Sequence, residues 1–110
     1  MKELEKLNEL VNEYYKCNLQ DGDRLNYLLQ KVTGLLYYLE TVRSEVHDHF
    51  QSAIYEKVKD KKSVARAENE AHVENPQMYQ LRRVMDAGYR IVDAIRSNIS
   101  YLKMEKQNSK

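Results

Sequence analysis

LNYLLQKVTGLLYYLETVRSEVHDHFQSA, residues 25–53, is the stretch that decides the architecture. Leu25, Leu28, Val32, Leu35, Leu39, Val42, Val46, His49 and Ala53 recur at alternating steps of three and four, a seam held for about four heptads. Such a seam belongs to a helix packed along its length against other helices. Beyond Ala53 the pattern slips and resumes at Val64, Ala67 and Ala71, a step that a continuous helix takes up by local unwinding. No residue between 24 and 74 forces a break. Unbroken, that helix would be roughly 75 Å long, whereas a compact chain of this size has a radius of gyration of about 13 Å. The expectation is a rod, a kink near Lys59–Ser63, or assembly with further copies of the chain.

Working outward, Asp21-Gly22-Asp23 and Asn75-Pro76 supply nearly all the punctuation. Ahead of the first, Leu4, Leu7, Val11 and Tyr14 predict a helix over about 2–19, with Glu3, Glu5, Glu9 and Glu13 early enough to suit its positive end. Asp23 is the expected N-cap of the long helix, over about 24–74. Asn75 as N-cap and Pro76 at the first helical position open a third helix over about 76–106. Its seam is Leu81, Val84 or Met85, Gly88, Ile91 or Val92, Ile95, Ile99 and Leu102, and Gln107–Lys110 should fray. Glycine inside a helix costs about 1 kcal/mol relative to alanine, so Gly88 and Gly34 read as places where a neighbouring helix comes close. The expected fold is all-α: one helical domain over 1–110, an elongated helical hairpin or coiled-coil-like bundle of about three helices around a long central one.

The chain has 110 residues, 42% hydrophobic and 32% charged, too apolar for a disordered tail and more charged than an average globular domain. It contains no apolar run long enough to span a bilayer, and its N-terminus lacks a signal-peptide core, so a soluble, cytoplasmic protein with no membrane partner is expected. Cys17 is alone, which excludes an internal disulfide. In His47-Asp48-His49 the two histidines point to different helix faces, and His49 falls on the apolar seam, so neither a metal nor another cofactor is expected. A Gly-rich phosphate loop, a nucleophile elbow, an HExxH pair and a Cys-His set are all missing, which argues against an enzyme.

The formal net charge is only +1, but it is unevenly distributed: residues 1–23 sum to −3, 57–66 to +4, 67–80 to −3 and 81–110 to +4. If the second and third helices fold back on one another about Asn75-Pro76, Arg66 falls near Val84 and Lys61 near Tyr89. Lys57, Lys59, Lys61, Lys62 and Arg66 then lie beside Arg82, Arg83 and Arg90 as one cationic patch for nucleic-acid phosphates. Tyr55 and Tyr89 lie close enough to stack on unpaired bases. The competing reading is a solvated face cross-paired with Asp60, Glu68, Glu70 and Asp86. Tyrosine is the other bias, with nine residues against one phenylalanine. Tyr14, Tyr15, Tyr27, Tyr37 and Tyr38 concentrate in the first third and suit a self-association or partner surface as well as a core.

Lys61-Lys62-Ser63-Val64-Ala65-Arg66-Ala67, with Asp93-Ala94-Ile95-Arg96-Ser97 and Ile99-Ser100-Tyr101-Leu102-Lys103, resembles the UvsY-type recombination mediator proteins of T-even-like phages, over about residues 57–71 and 90–105. The resemblance implies a ring-forming homo-oligomer whose central basic tract contacts single-stranded DNA. Such a mediator helps to load a recombinase onto strands covered by single-strand-binding protein, in the host cytoplasm if phage-encoded. Arg66, following Ala65, matches the arginine of the family's basic motif. The lysine two places earlier in that motif corresponds to Val64 here, with Lys61 and Lys62 supplying charge one turn before it. The alternative is a helical protein-interaction module, such as a phage inhibitor of a host or defence protein, with the Tyr-rich first third as its contact surface.

Overall fold

The computed structural model describes residues 1–108, and all secondary structure in them is helical. The fold is all-α, with four helices among the described residues where about three were expected: α1 (Lys2–Lys16), α2 (Gly22–Lys59), α3 (Val64–Glu74) and α4 (Pro76–Asn108). The expectation of fraying concerned Gln107–Lys110; Gln107 and Asn108 are helical, and Ser109 and Lys110 lie outside the described residues.

Side chains at the connections explain the boundaries. α1 stops at Lys16, short of the expected residue 19, and Cys17 is extended. Asn18 then turns the chain, its side-chain oxygen accepting from the Gln20 amide at 2.9 Å. Asp21, not Asp23, caps α2: its carboxylate accepts from the Arg24 amide at 3.0 Å. The long seam does not continue to residue 74. α2 ends at Lys59, where the Lys62 amide donates to the Lys57 carbonyl and the Lys61 amide to the Val58 carbonyl, with Lys61 left-handed at φ 70°. This is a Schellman closure with lysine in the place that usually falls to glycine. Ser63 then restarts the helix, its hydroxyl accepting from the Arg66 amide at 3.2 Å. The slip in the apolar pattern therefore marks a reversal. α3 folds back along α2, as the Phe50 and His72 rings at 4.7 Å attest. Asn75 closes α3, its amide and side-chain nitrogens each donating to the Ala71 carbonyl at 2.9 Å, before Pro76 opens α4.

The chain forms two compact units. One comprises Met1–Leu39 and Val84–Lys110. Within it, Gly22 approaches Leu102 and Leu36 approaches Gly88, so α2 and α4 run antiparallel. Leu7 also meets Gly88, and Asn98 donates to the Tyr14 hydroxyl at 3.0 Å, so α1 runs alongside α4 in the same direction. Its core holds Leu7, Leu25, Leu28, Val32, Ile91 and Ile95, all fully buried or within 1% of it. The other unit is Glu40–Arg83, with Phe50, Ala67, Ala71 and Leu81 inside. α3 buries Ala67 and Ala71, and Lys57 of α2 pairs with Glu70 and Glu74 on it.

Two features of the expected seam shift. Leu36 and Phe50 are buried, whereas Leu35 is half-buried and His49 is exposed. Gly88 is a close approach, since an added Cβ would lie 3.1 Å from Leu36 and 3.3 Å from Leu7. Gly34 is not: its outer side is open, with nothing within 4 Å.

Candidate nucleic-acid interface

The basic tract is built on the reversal at the end of α2. The chain turns at Asp60–Ser63, ahead of Asn75-Pro76, and Arg66 shares a carboxylate with Lys57 in the last turn of α2. Glu70 on α3 receives the Lys62 ammonium at 2.6 Å, the Arg66 Nε at 3.0 Å and the Lys57 ammonium at 3.3 Å. Lys57 also bonds Glu74 at 2.9 Å. Lys62 first, then Arg66, hold the Glu70 carboxyl down to about 2 from its ordinary 4.5. Glu74, ahead of Glu70, raises the pKa of the Lys57 ammonium, against the opposing effect of burial.

Three of the eight cations expected to hold phosphate are therefore engaged by the chain's own acids, as the competing reading anticipated for Glu70. Asp60, Glu68 and Asp86, the other acids of that reading, are exposed. Lys59, Lys61, Arg82 and Arg83 are exposed in the Glu40–Arg83 unit, and Arg90 is exposed in the other unit. None of these five has an ion-pair partner among the described residues. Tyr55 and Tyr79, both 66% exposed, belong to the first of these units. Tyr79 was not singled out from sequence, although its spacing of three and four from Arg82 and Arg83 puts it on their helix face.

The five tyrosines of the first third divide. Tyr14 is core, its hydroxyl bonded to Asn98 and its ring edge-on to Tyr15 at 5.4 Å. Tyr27 lies beneath two cations, Arg24 at 4.6 Å and Lys31 at 5.7 Å from the ring centre, and Arg24 is itself paired with Glu13. Tyr15, Tyr37 and Tyr38 present most or half of their surface outward, with Tyr37 the most exposed at 83%. Burial pushes the Cys17 thiol up, away from a reactive thiolate. Among the described residues, no three His, Cys, Asp or Glu side chains converge as metal ligands, and no helix is long and apolar enough to cross a membrane. No protein-family model matches the chain, and no curated protein or solved structure matches it.

Proposed function

We propose that the chain is a non-enzymatic, oligomeric accessory protein that binds single-stranded nucleic acid, and that it acts as a phage-type recombination mediator helping to load a recombinase. The observation that carries this reading is the surface of the Glu40–Arg83 unit. There Lys59, Lys61, Arg82 and Arg83 lack carboxylate partners, and Tyr55 and Tyr79 are exposed. Unpaired cations neutralise phosphates and release counterions, while exposed rings stack on bases at about 1–3 kcal/mol each, a combination suited to sequence-tolerant single-strand binding. The unit holds eight basic and eight acidic residues, so its affinity is local in origin and sensitive to salt. The mediator role, with a recombinase or single-strand-binding protein as partner, draws on the resemblance over residues 57–71 and 90–105. Replacing Lys59, Lys61, Arg82 and Arg83 together by Ala should weaken oligonucleotide binding at least about tenfold in low salt, and flatten the salt dependence by about 0.7 log units for each phosphate no longer engaged. Unchanged affinity in a folded variant would contradict the reading.

One observation favours a second reading, a helical protein-interaction module such as a phage inhibitor of a host or defence protein. Gly34 faces open space on α2, beside the exposed rings of Tyr37 and Tyr38. A glycine there weakens the helix and does nothing for its own chain's packing, whereas it admits a partner's backbone between aromatic anchors. This reading predicts a protein partner retained in high salt after nuclease treatment and released on Tyr37→Ala with Tyr38→Ala.

A further inference from the structure

Lys57 at the end of α2, Lys62 in the turn and Arg66 on α3 converge on one carboxylate. We propose that this cradle is a phosphodiester site, and that Glu70 occupies it as an internal competitor which sets the affinity for nucleic acid. The inference rests on the nucleic-acid reading and adds to it a residue that opposes binding.

The chemistry of the exchange supports it. A phosphodiester carries one negative charge over two non-bridging oxygens, as a carboxylate does, so replacing one by the other leaves the charge in the cradle unchanged. Both Glu70 oxygens are engaged, one by Arg66 and the other by Lys62 and Lys57. Donors nevertheless remain to spare, because each ammonium has three N–H groups and the guanidinium five. The cradle is framed by backbone that does not depend on Glu70: the left-handed closure at Lys61 and the Ser63 cap fix the turn from which Lys62 and Arg66 project. It is also within reach of solvent, with the Arg66 side chain 68% exposed and that of Glu70 29%. Since the unit's acids and bases balance in number, position decides which cations are available, and Glu70 is the acid that holds three of them.

The test is a titration of a labelled oligothymidylate with wild type, Glu70→Gln and Glu68→Gln at two salt concentrations, with helicity followed by circular dichroism. Glu68 lies on the same helix and is exposed, so its substitution makes the same change in net charge away from the cradle. Glu70→Gln should bind about tenfold tighter than wild type with a steeper salt dependence, as expected for one or two added charge-assisted hydrogen bonds, whereas Glu68→Gln should stay within about twofold. Adding Lys62→Gln and Arg66→Gln to Glu70→Gln should abolish the gain. If Glu70→Gln does not fold, a comparison in the presence of Glu70 decides: Lys62→Gln with Arg66→Gln should weaken binding less than Lys59→Gln with Lys61→Gln. Wild-type binding with no gain in folded Glu70→Gln, or a gain equal to that of Glu68→Gln, would overturn the role of Glu70 alone. No binding by wild type or any variant would overturn the nucleic-acid reading beneath it.

Discussion

Gly34 and Gly88 sit inside long helices and meet opposite surroundings. At Gly88 the missing side chain makes room for Leu36 and Leu7; at Gly34 it makes room for nothing in the chain. Gly34→Ala should therefore gain most of the helix-propensity difference, about 1 kcal/mol, and raise the melting temperature by about 4 °C or more. Gly88→Ala should gain less than Gly34→Ala or lose stability, because the same propensity term is set against two leucines that are at most 3% exposed. Thermal melts of the two variants check both, and an equal gain would contradict the contrast. Sequence alone marked both glycines as close approaches, since a lone glycine in an apolar pattern does not reveal which side faces the partner. The exchange of Leu35 and His49 for Leu36 and Phe50 has a different cause. A strict heptad repeats every 3.5 residues, but a straight helix turns every 3.6, so its buried stripe drifts by about 20° per heptad toward later residues. Leu36 and Phe50 are each the next residue along.

At the scale of elements, the α2–α3 reversal joins a strained closure to an ionic clasp. The slip in the apolar seam after Ala53 gave the location of the break near Lys59–Ser63. The direction of the chain beyond it was not legible, because a left-handed lysine leaves no signature of the kind that glycine or proline leaves. Asn75-Pro76 carried a stronger local signal, yet it separates α3 from α4 after the chain has already turned back. Glu70 makes the clasp dependent on pH. Its folded-state value, about 2, is below its ordinary 4.5, so its contribution is complete above about pH 4.5 and is lost as pH falls toward 2. The melting temperature of wild type should exceed that of Glu70→Gln at neutral pH, and the difference should shrink between about pH 4.5 and 2. A difference constant across that range would contradict the clasp.

For the whole molecule, the near balance of 18 basic and 17 acidic residues conceals two kinds of cation. Lys57, Lys62 and Arg66 are held by Glu70, while Lys59, Lys61, Arg82, Arg83 and Arg90 stand exposed without ion-pair partners. The abundance of charge along 57–66 and 81–90 was readable from sequence; the sharing of one carboxylate among three cations was not, since it depends on where the chain reverses. The tyrosines divide similarly. Tyr14 turns inward to Asn98 while Tyr37 and Tyr38 turn outward, a distinction set by the position of each on its helix relative to the core. As proposed above, the exposed cations of the Glu40–Arg83 unit take up single-stranded nucleic acid through its phosphates. The measurement that tests it most directly is the affinity of the wild-type chain for a labelled single-stranded oligonucleotide as a function of salt, with light scattering reporting assembly in the same samples. Binding by an oligomer is expected in low salt, with an affinity that falls linearly in log–log form by about 0.7 for each phosphate engaged. No binding in low salt, or binding indifferent to salt, would contradict it.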